Sequence, residues 1–266
     1  SSTVGTALAA IAIGDHSNAT RDGAVGIGSH AKARGDNSVY LGATTGSVPN
    51  AGATNVNSIA IGTSVESHGF SSVAIGGGSK ALKDQAIAVG RSAKAKDVST
   101  IAQGFSATAN TESDIAIGTS SVANGGSTKP APTPRNKVGS SVPVTPEDTR
   151  GVGSAIAMGK NANATGVSTI AVGQGANASF DNATAIGLEA KASKEDAIAM
   201  GSRANASGNF AIATGSGANS SAHGSIATGL QSNASANNAI ATGLQSNASG
   251  ISSIAIGTNA NATGLN

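Results

Sequence analysis

The sequence has no cysteine and no tryptophan, and aromatic residues fill 2% of its 266 positions. Absent cysteine suits a surface protein that crosses an oxidising compartment without mispairing, and suits many cytosolic proteins equally well. A compact core of this size normally draws on many Leu, Phe and Met. Here Ala, Gly, Ser, Asn and Thr dominate, with 37 glycines, which argues against an ordinary globular domain. Charged residues are also scarce, at 11%, so the chain lacks the signature of charged disorder. A formal net charge of +2 is too weak to point to nucleic acid or to an anionic membrane. No apolar run approaches the roughly 20 residues that a membrane-spanning helix needs. No basic segment followed by an apolar stretch opens the chain, so no secretory signal is expected within it.

What is present is a repeat. Residues 7–42 read "ALAAIAIGDHSNATRDGAVGIGSHAKARGDNSVYLG", with a small aliphatic run ending in Gly14, Gly28 and Gly42. Extended along the chain, the pattern marks sixteen glycines, from Gly14 to Gly257, mostly fourteen residues apart. Six extra residues intervene between Gly42 and Gly62, and twenty-seven between Gly118 and Gly159. Three residues before each glycine stands Ile or Val, except at Thr184; two before stands Ala, except at Gly26 and Tyr40. Three and five after it stand Ala or Ser in nearly every repeat. Both halves alternate with period two, so both read as short strands, and Gly, Asn, Asp and Ser at the junctions supply turns. A unit with two strands and two tight turns is one coil of a parallel β-solenoid, stacked on the next at the ~4.8 Å strand spacing. Helix is disfavoured, because apolar residues at i and i+2 share no helical face.

One face of the first strand carries large residues such as Ile11 and Ile13, and the other carries Ala12 and Gly14. If the small residues line the coil, its interior is thin and the Ile/Val ladder stays outside as an apolar stripe. Monomers rarely expose such a stripe, and a cyclic trimer would bury three of them on one axis. Periodicity alone does not decide between this assignment and the opposite one, with Ile inside. In the trimeric arrangement Ile11, Ile13, Ile59, Ile61, Ile115, Ile117, Ile254 and Ile256 form the trimer core. Gln103, Thr214, Thr228 and Thr242 then place polar rings beside the axis, useful for fixing register.

Repeats such as "SIAIGTSVESHGFSSVAIGG" (58–77) and "SIAIGTNANATG" (253–264) resemble the YadA-like head repeat of trimeric autotransporter adhesins. The resemblance covers the chain outside its two interruptions. It implies an all-β, left-handed parallel β-roll assembled as a parallel homotrimer, with residues 1–266 forming a single head. It also implies display on a Gram-negative surface, anchored in the outer membrane through a C-terminal barrel that, like a neck or heptad stalk, is not in this sequence. The expected partners are host matrix proteins such as collagen, fibronectin or laminin, cell surfaces, other bacteria or abiotic surfaces. No nucleic acid and no membrane contact by this segment are expected, and no enzymatic role.

Two segments break the pattern. Residues 43–57 read as a surface loop between coils. Residues 119–154 hold five of the six prolines and should be extended and solvated in part. Loops on a rigid scaffold often carry recognition, so Lys129, Arg135 and Lys137 are candidate ligand-binding residues. So are Lys32, Arg34, Lys80, Lys94 and Lys96, four and six residues after their glycines on the outward face. In later repeats the fourth position is mostly Asn.

Nothing recurs that would build an active site. His16 and His30 occupy equivalent places about 5 Å apart by the strand spacing, but no carboxylate or Cys joins them in a ligand pattern. No catalytic residue, metal site or cofactor is expected. Among other repeat proteins, an ice-binding solenoid would present long Thr rows, and Thr214, Thr228 and Thr242 make a short one. A left-handed β-helix acyltransferase would repeat in hexapeptides.

Overall fold

Each fourteen-residue unit folds into the same short loop of chain. In the computed structural model, which describes residues 3–4, 8–44, 50–126 and 154–264, a three-residue strand ends at the repeat glycine. A turn, a two-residue strand and a second turn then return the chain one coil further along. Strands of about five residues would follow from the alternation, but the two turns take up the rest of each unit. Most turns close with an i to i+3 backbone hydrogen bond, as from Ala93 N to Gly90 O at 3.2 Å and from Ala86 N to Lys83 O at 3.2 Å.

Every strand pairs in parallel with its equivalent one coil away, in register: Val73 with Ile87, Ala74 with Ala88, Ile75 with Val89. The chain divides into two compact units, Ser1–Ala123 and Asn124–Asn266. In the first, three-residue strands from Ile11–Ile13 to Ile115–Ile117 form one ladder, and two-residue strands from Thr3–Val4 to Val122–Ala123 form the other. In the second, the ladders run from Ile156–Met158 to Ile254–Ile256 and from Asn163–Ala164 to Asn261–Ala262. Among the described residues there is no helix.

The coil interior settles which face is inside. The central Ala of the long strand, the Ala just before the short strand and the Ala at its end are fully buried, as at Ala88, Ala93 and Ala95. Buried hydroxyls among them bond to backbone carbonyls, Ser17 Oγ donating to Gly26 O at 2.8 Å and Ser220 Oγ to Ser225 O at 2.7 Å. The Ile and Val side chains point the other way, out of the coil.

The repeat glycine is demanded by the backbone. Gly201 has φ +135°, and a Cβ there would lie 2.5 Å from the carbonyl oxygen of Gly215 in the next coil. No L side chain fits that position, which is why the glycine returns with the period. The third residue of each turn is also left-handed, commonly Asn, Ser or Gly, but in places Gln85, Arg203 or Phe210.

Both irregular segments begin later or end sooner than the sequence suggests. Gly52–Ala53 is a regular strand, with Ala33 opposite Ala53 and Gly52 opposite Glu66, so the later part of 43–57 belongs to a coil rather than to a loop. Val122–Ala123 likewise pairs with Thr108–Ala109, so the coil continues past residue 119 before the pattern breaks. The physical reason is the same in both: small residues at the inward positions keep the interior filled. At the enlarged coil the filling changes: Tyr40 is fully buried where other coils have Ala or Gly, and Val65 where they have Ala or Ser. The Tyr40 hydroxyl donates to Ala43 O and Gly62 O at 3.4 and 3.3 Å.

Candidate binding surfaces

Large aliphatic side chains on both edges of the long strand form two outward columns in each unit. Ile11 and Ile13 are 47% and 56% exposed, and Ile254 and Ile256 are 59% and 72% exposed. Ile59, Ile61, Ile115 and Ile117 lie in the same columns, half-covered by their neighbours along the stack. Both methionines, Met158 and Met200, stand exposed there too. All eight residues expected in a trimer core therefore face out of the coil, and a column of branched side chains is left against water. Gln103 interrupts it between Val89 and Ile117. Thr214, Thr228 and Thr242 sit on neighbouring strands in register, between Met200 and Ile256. Three threonines set in an aliphatic column are not the long flat row that ice binding requires.

The outward rows of the short-strand ladder differ in chemistry between the units. In the first, Lys80 lies opposite both Glu66 and Lys94. Its Nζ donates to Glu66 Oε1 at 2.7 Å, and the Glu66 side chain is only 9% exposed. Over the same coil His68 Nε2 meets the carbonyl of Asn50 at 2.7 Å, so residues following the extra segment cover this part of the face. Lys96 donates to Asn110 Oδ1 at 2.8 Å. Lys94, Lys96 and Arg34 are exposed and Lys32 is half-buried. The five cations are thus on one outward face, but one is neutralised in a near-buried pair. Lys129, Arg135 and Lys137 lie outside the described residues.

In the second unit the same row is an amide ladder. Each side chain donates from Nδ2 to Oδ1 of the next: Asn205 to Asn219, Asn219 to Asn233, Asn233 to Asn247 and Asn247 to Asn261, each at 2.8 Å. Stacking identical residues at the strand spacing sets up this chain, as in other cross-strand amide ladders. Only Lys191 interrupts it, between Asn177 and Asn205.

The turn edges carry features that the repeat pattern hides. All four phenylalanines are exposed there. The Arg91 guanidinium lies 4.5 Å from the Phe105 ring centre, the Lys194 ammonium 5.3 Å from that of Phe180, and Phe210 meets His223 edge-on at 5.4 Å. Carboxylates on the turn that follows the short strand clamp successive coils. Asp22, Asp84 and Asp181 accept the backbone N–H of Leu8, Phe70 and Val167, one coil earlier, at 2.8–3.0 Å. Asp114 is fully buried beside a turn, accepting from Thr111 N and Thr111 Oγ1 at 2.9 and 2.8 Å. The sequence signal for the carboxylate clamps is an acidic residue fourteen positions after a large apolar one, as in Leu8 with Asp22, Phe70 with Asp84 and Val167 with Asp181.

His16 and His30 stack with ring centres 4.9 Å apart, as the coil spacing requires. The hydrogen bond between Asp15 and His16, 2.9 Å long, holds the Asp15 carboxyl below the usual range, against a smaller opposing push from desolvation. Among the described residues no three His, Cys, Asp or Glu side chains gather in a metal-binding cluster, and none forms a helix able to cross a membrane.

Comparison with known families gives one result. The family model described as the YadA head domain repeat matches ten stretches, beginning with 6–31, 22–43 and 49–64 and ending with 220–246 and 248–266. Together they cover most of the chain. No curated protein matches it.

Proposed function

The chain belongs to the YadA head-repeat family, and from that premise we propose that it is the adhesive head of a trimeric autotransporter on a Gram-negative surface. The carrying observation is the exposed aliphatic column on the long-strand ladder. Transfer of such surface from water is favourable by ~25 cal/mol per Å². Three parallel copies turned about a common axis bring their columns together, with Gln103, Thr214, Thr228 and Thr242 forming polar rings beside the axis. The whole chain, 1–266, then acts as one head in which the repeats flank the two irregular segments.

The outward rows face the environment in that assembly. Repetition at the strand spacing and threefold symmetry present each contact many times, so weak contacts add as avidity without a deep pocket. Host matrix proteins, cell surfaces and abiotic surfaces are the proposed targets, with Lys32, Arg34, Lys94 and Lys96 offered to acidic groups, Lys80 being held by Glu66, and Lys129, Arg135 and Lys137 added by the second irregular segment. Display at the bacterial surface, through an outer-membrane anchor, follows from the same reading. The role is mechanical attachment rather than turnover. Beads coated with the whole chain are expected to attach to immobilised matrix proteins or cultured cells, and attachment to none of a broad panel would refute the adhesive role.

A further inference from the structure

From the turn edge of the second unit we infer that Phe180 is the platform of a subsite for a neutral saccharide. This deepens the adhesive reading above and rests on it for its biological setting, but its evidence is separate. A groove of about 360 Å³ opens beside the Phe180 ring, at the lower end of the size range of small-molecule sites. Its place in the fold is specific. Along this turn position successive coils carry Gly166, Phe180, Lys194 and Gly208, so one large ring and one long side chain stand between two residues with none. A Cβ on Gly166 would come 2.6 Å from the Phe180 carbonyl carbon, so the gap on that side is enforced by the backbone.

The groove's chemistry selects the ligand class. Phe180 is 48% exposed, in a chain that otherwise keeps its aromatic content to 2%. Around it Thr165, Ser179 and Asn209 offer groups that both donate and accept hydrogen bonds. Asp181, held by Val167 N–H at 3.0 Å, and Glu195 add acceptors. A ligand with an apolar face and a rim of hydroxyls satisfies both sets, and a pyranose ring has that shape. Charge narrows it further. Lys194 already holds the cation position over the ring, 5.3 Å from its centre, which disfavours a cationic ligand. Asp181 and Glu195 disfavour an anionic one. The rows of Asn and Ser or Thr on the adjoining face, such as Asn177 with Ser179, continue the uncharged polar surface along which a longer glycan would lie.

The test uses the whole chain and two kinds of probe. Neutral glycoconjugates bearing mannose, galactose or N-acetylglucosamine, and acidic ones bearing sialic acid or heparin fragments, are immobilised on a biosensor. The wild type is expected to bind at least one neutral conjugate, and Phe180→Ala to weaken that binding roughly tenfold. Phe180→Trp should retain it. Phe105→Ala, which removes an equally exposed ring outside the groove, should leave it unchanged, with melting curves showing all variants folded. Binding of acidic conjugates alone, of none, or equal binding by Phe180→Ala overturns the subsite. Beads attaching to cells without any glycoconjugate binding would sink the subsite and leave the adhesive role standing. Glycoconjugate binding by beads that attach to nothing else would do the reverse.

Discussion

The two units run the same coil and dress it differently. Along the outward short-strand row, residues 8–123 carry Lys32, Glu66, Lys80 and Lys94, while residues 154–264 carry an almost unbroken row of Asn. Inside, the second unit keeps Ala in every coil at the central long-strand position, whereas the first admits Tyr40 and, across the coil, Val65. The difference separates what the fold needs from what it tolerates. Parallel pairing, the left-handed turn glycine and a small inward residue recur in both units. The outward rows are free to change. Among the described residues the one aromatic ring in the interior, Tyr40, stands beside the extra chain supplied between Gly42 and Gly62.

The largest effect should come from exchanging the cores. Ala185→Tyr places in the second unit the residue that the first carries at Tyr40, but in a coil of normal length. It should prevent that unit from folding, as limited proteolysis would show by protecting only the first. The reciprocal Tyr40→Ala should cost about 3–5 kcal/mol in denaturant unfolding, the usual penalty for deleting a buried ring. If Ala185→Tyr were tolerated, the link between extra chain and core size would be wrong.

Next in size is the backbone. Gly201→Ala meets both a left-handed φ of +135° and a Cβ contact of 2.5 Å with Gly215 O. Gly257→Ala has φ +122° but nothing within 4 Å. The strain they share is worth roughly 1–3 kcal/mol. Gly201→Ala should therefore lose clearly more than Gly257→Ala in thermal melts, and equal losses would show that stacking contact plays no part.

The outward rows sharpen the comparison at smaller cost. Glu66→Gln leaves Lys80 facing Lys94 without its 2.7 Å partner, and Asn219→Ala cuts the amide ladder in two places. Each should cost about 1 kcal/mol, the first reduced by water at the half-exposed ammonium. High salt should shrink the Glu66→Gln effect and leave that of Asn219→Ala alone, because only the former is ionic.

The smallest effect is one of pH. Burial pushes the Tyr40 hydroxyl above its ordinary range, with the backbone N–H groups of Val65 and Ser64 partly offsetting it. The folded chain thus holds the phenolic proton more tightly than the unfolded one. That stabilisation is complete below the unfolded tyrosine value of about 10 and is lost as pH rises through the higher folded value. Between those values the wild type should lose stability relative to Tyr40→Phe. Tyr40 is the chain's single tyrosine, so no second site masks the comparison.

Much of this was legible in the letters. The fourteen-residue return of glycine and the alternation of Ile with Ala predict the parallel coil, and the expected His16–His30 spacing agrees with the observed 4.9 Å. The face assignment needed coordinates, because period two says that Ile11 and Ala12 diverge but not which one turns inward. Strand limits were also hidden. Gly52–Ala53 sits in a stretch that looks like loop, and only its pairing with Glu66–Ser67 reveals a coil. The Phe180 groove was invisible for another reason: Thr165, Phe180, Lys194 and Asn209 meet only when neighbouring coils stack, and no short motif records that.

The central claim is that the outward aliphatic column is covered by other copies of the same chain. Its most direct test is the native mass of the whole protein by light scattering. The account predicts a mass close to three times the 25.2 kDa chain, falling to a single chain when Ile115→Asp and Ile117→Asp are introduced together. A wild-type protein that stays at 25.2 kDa, folded and soluble with its column in water, would contradict it.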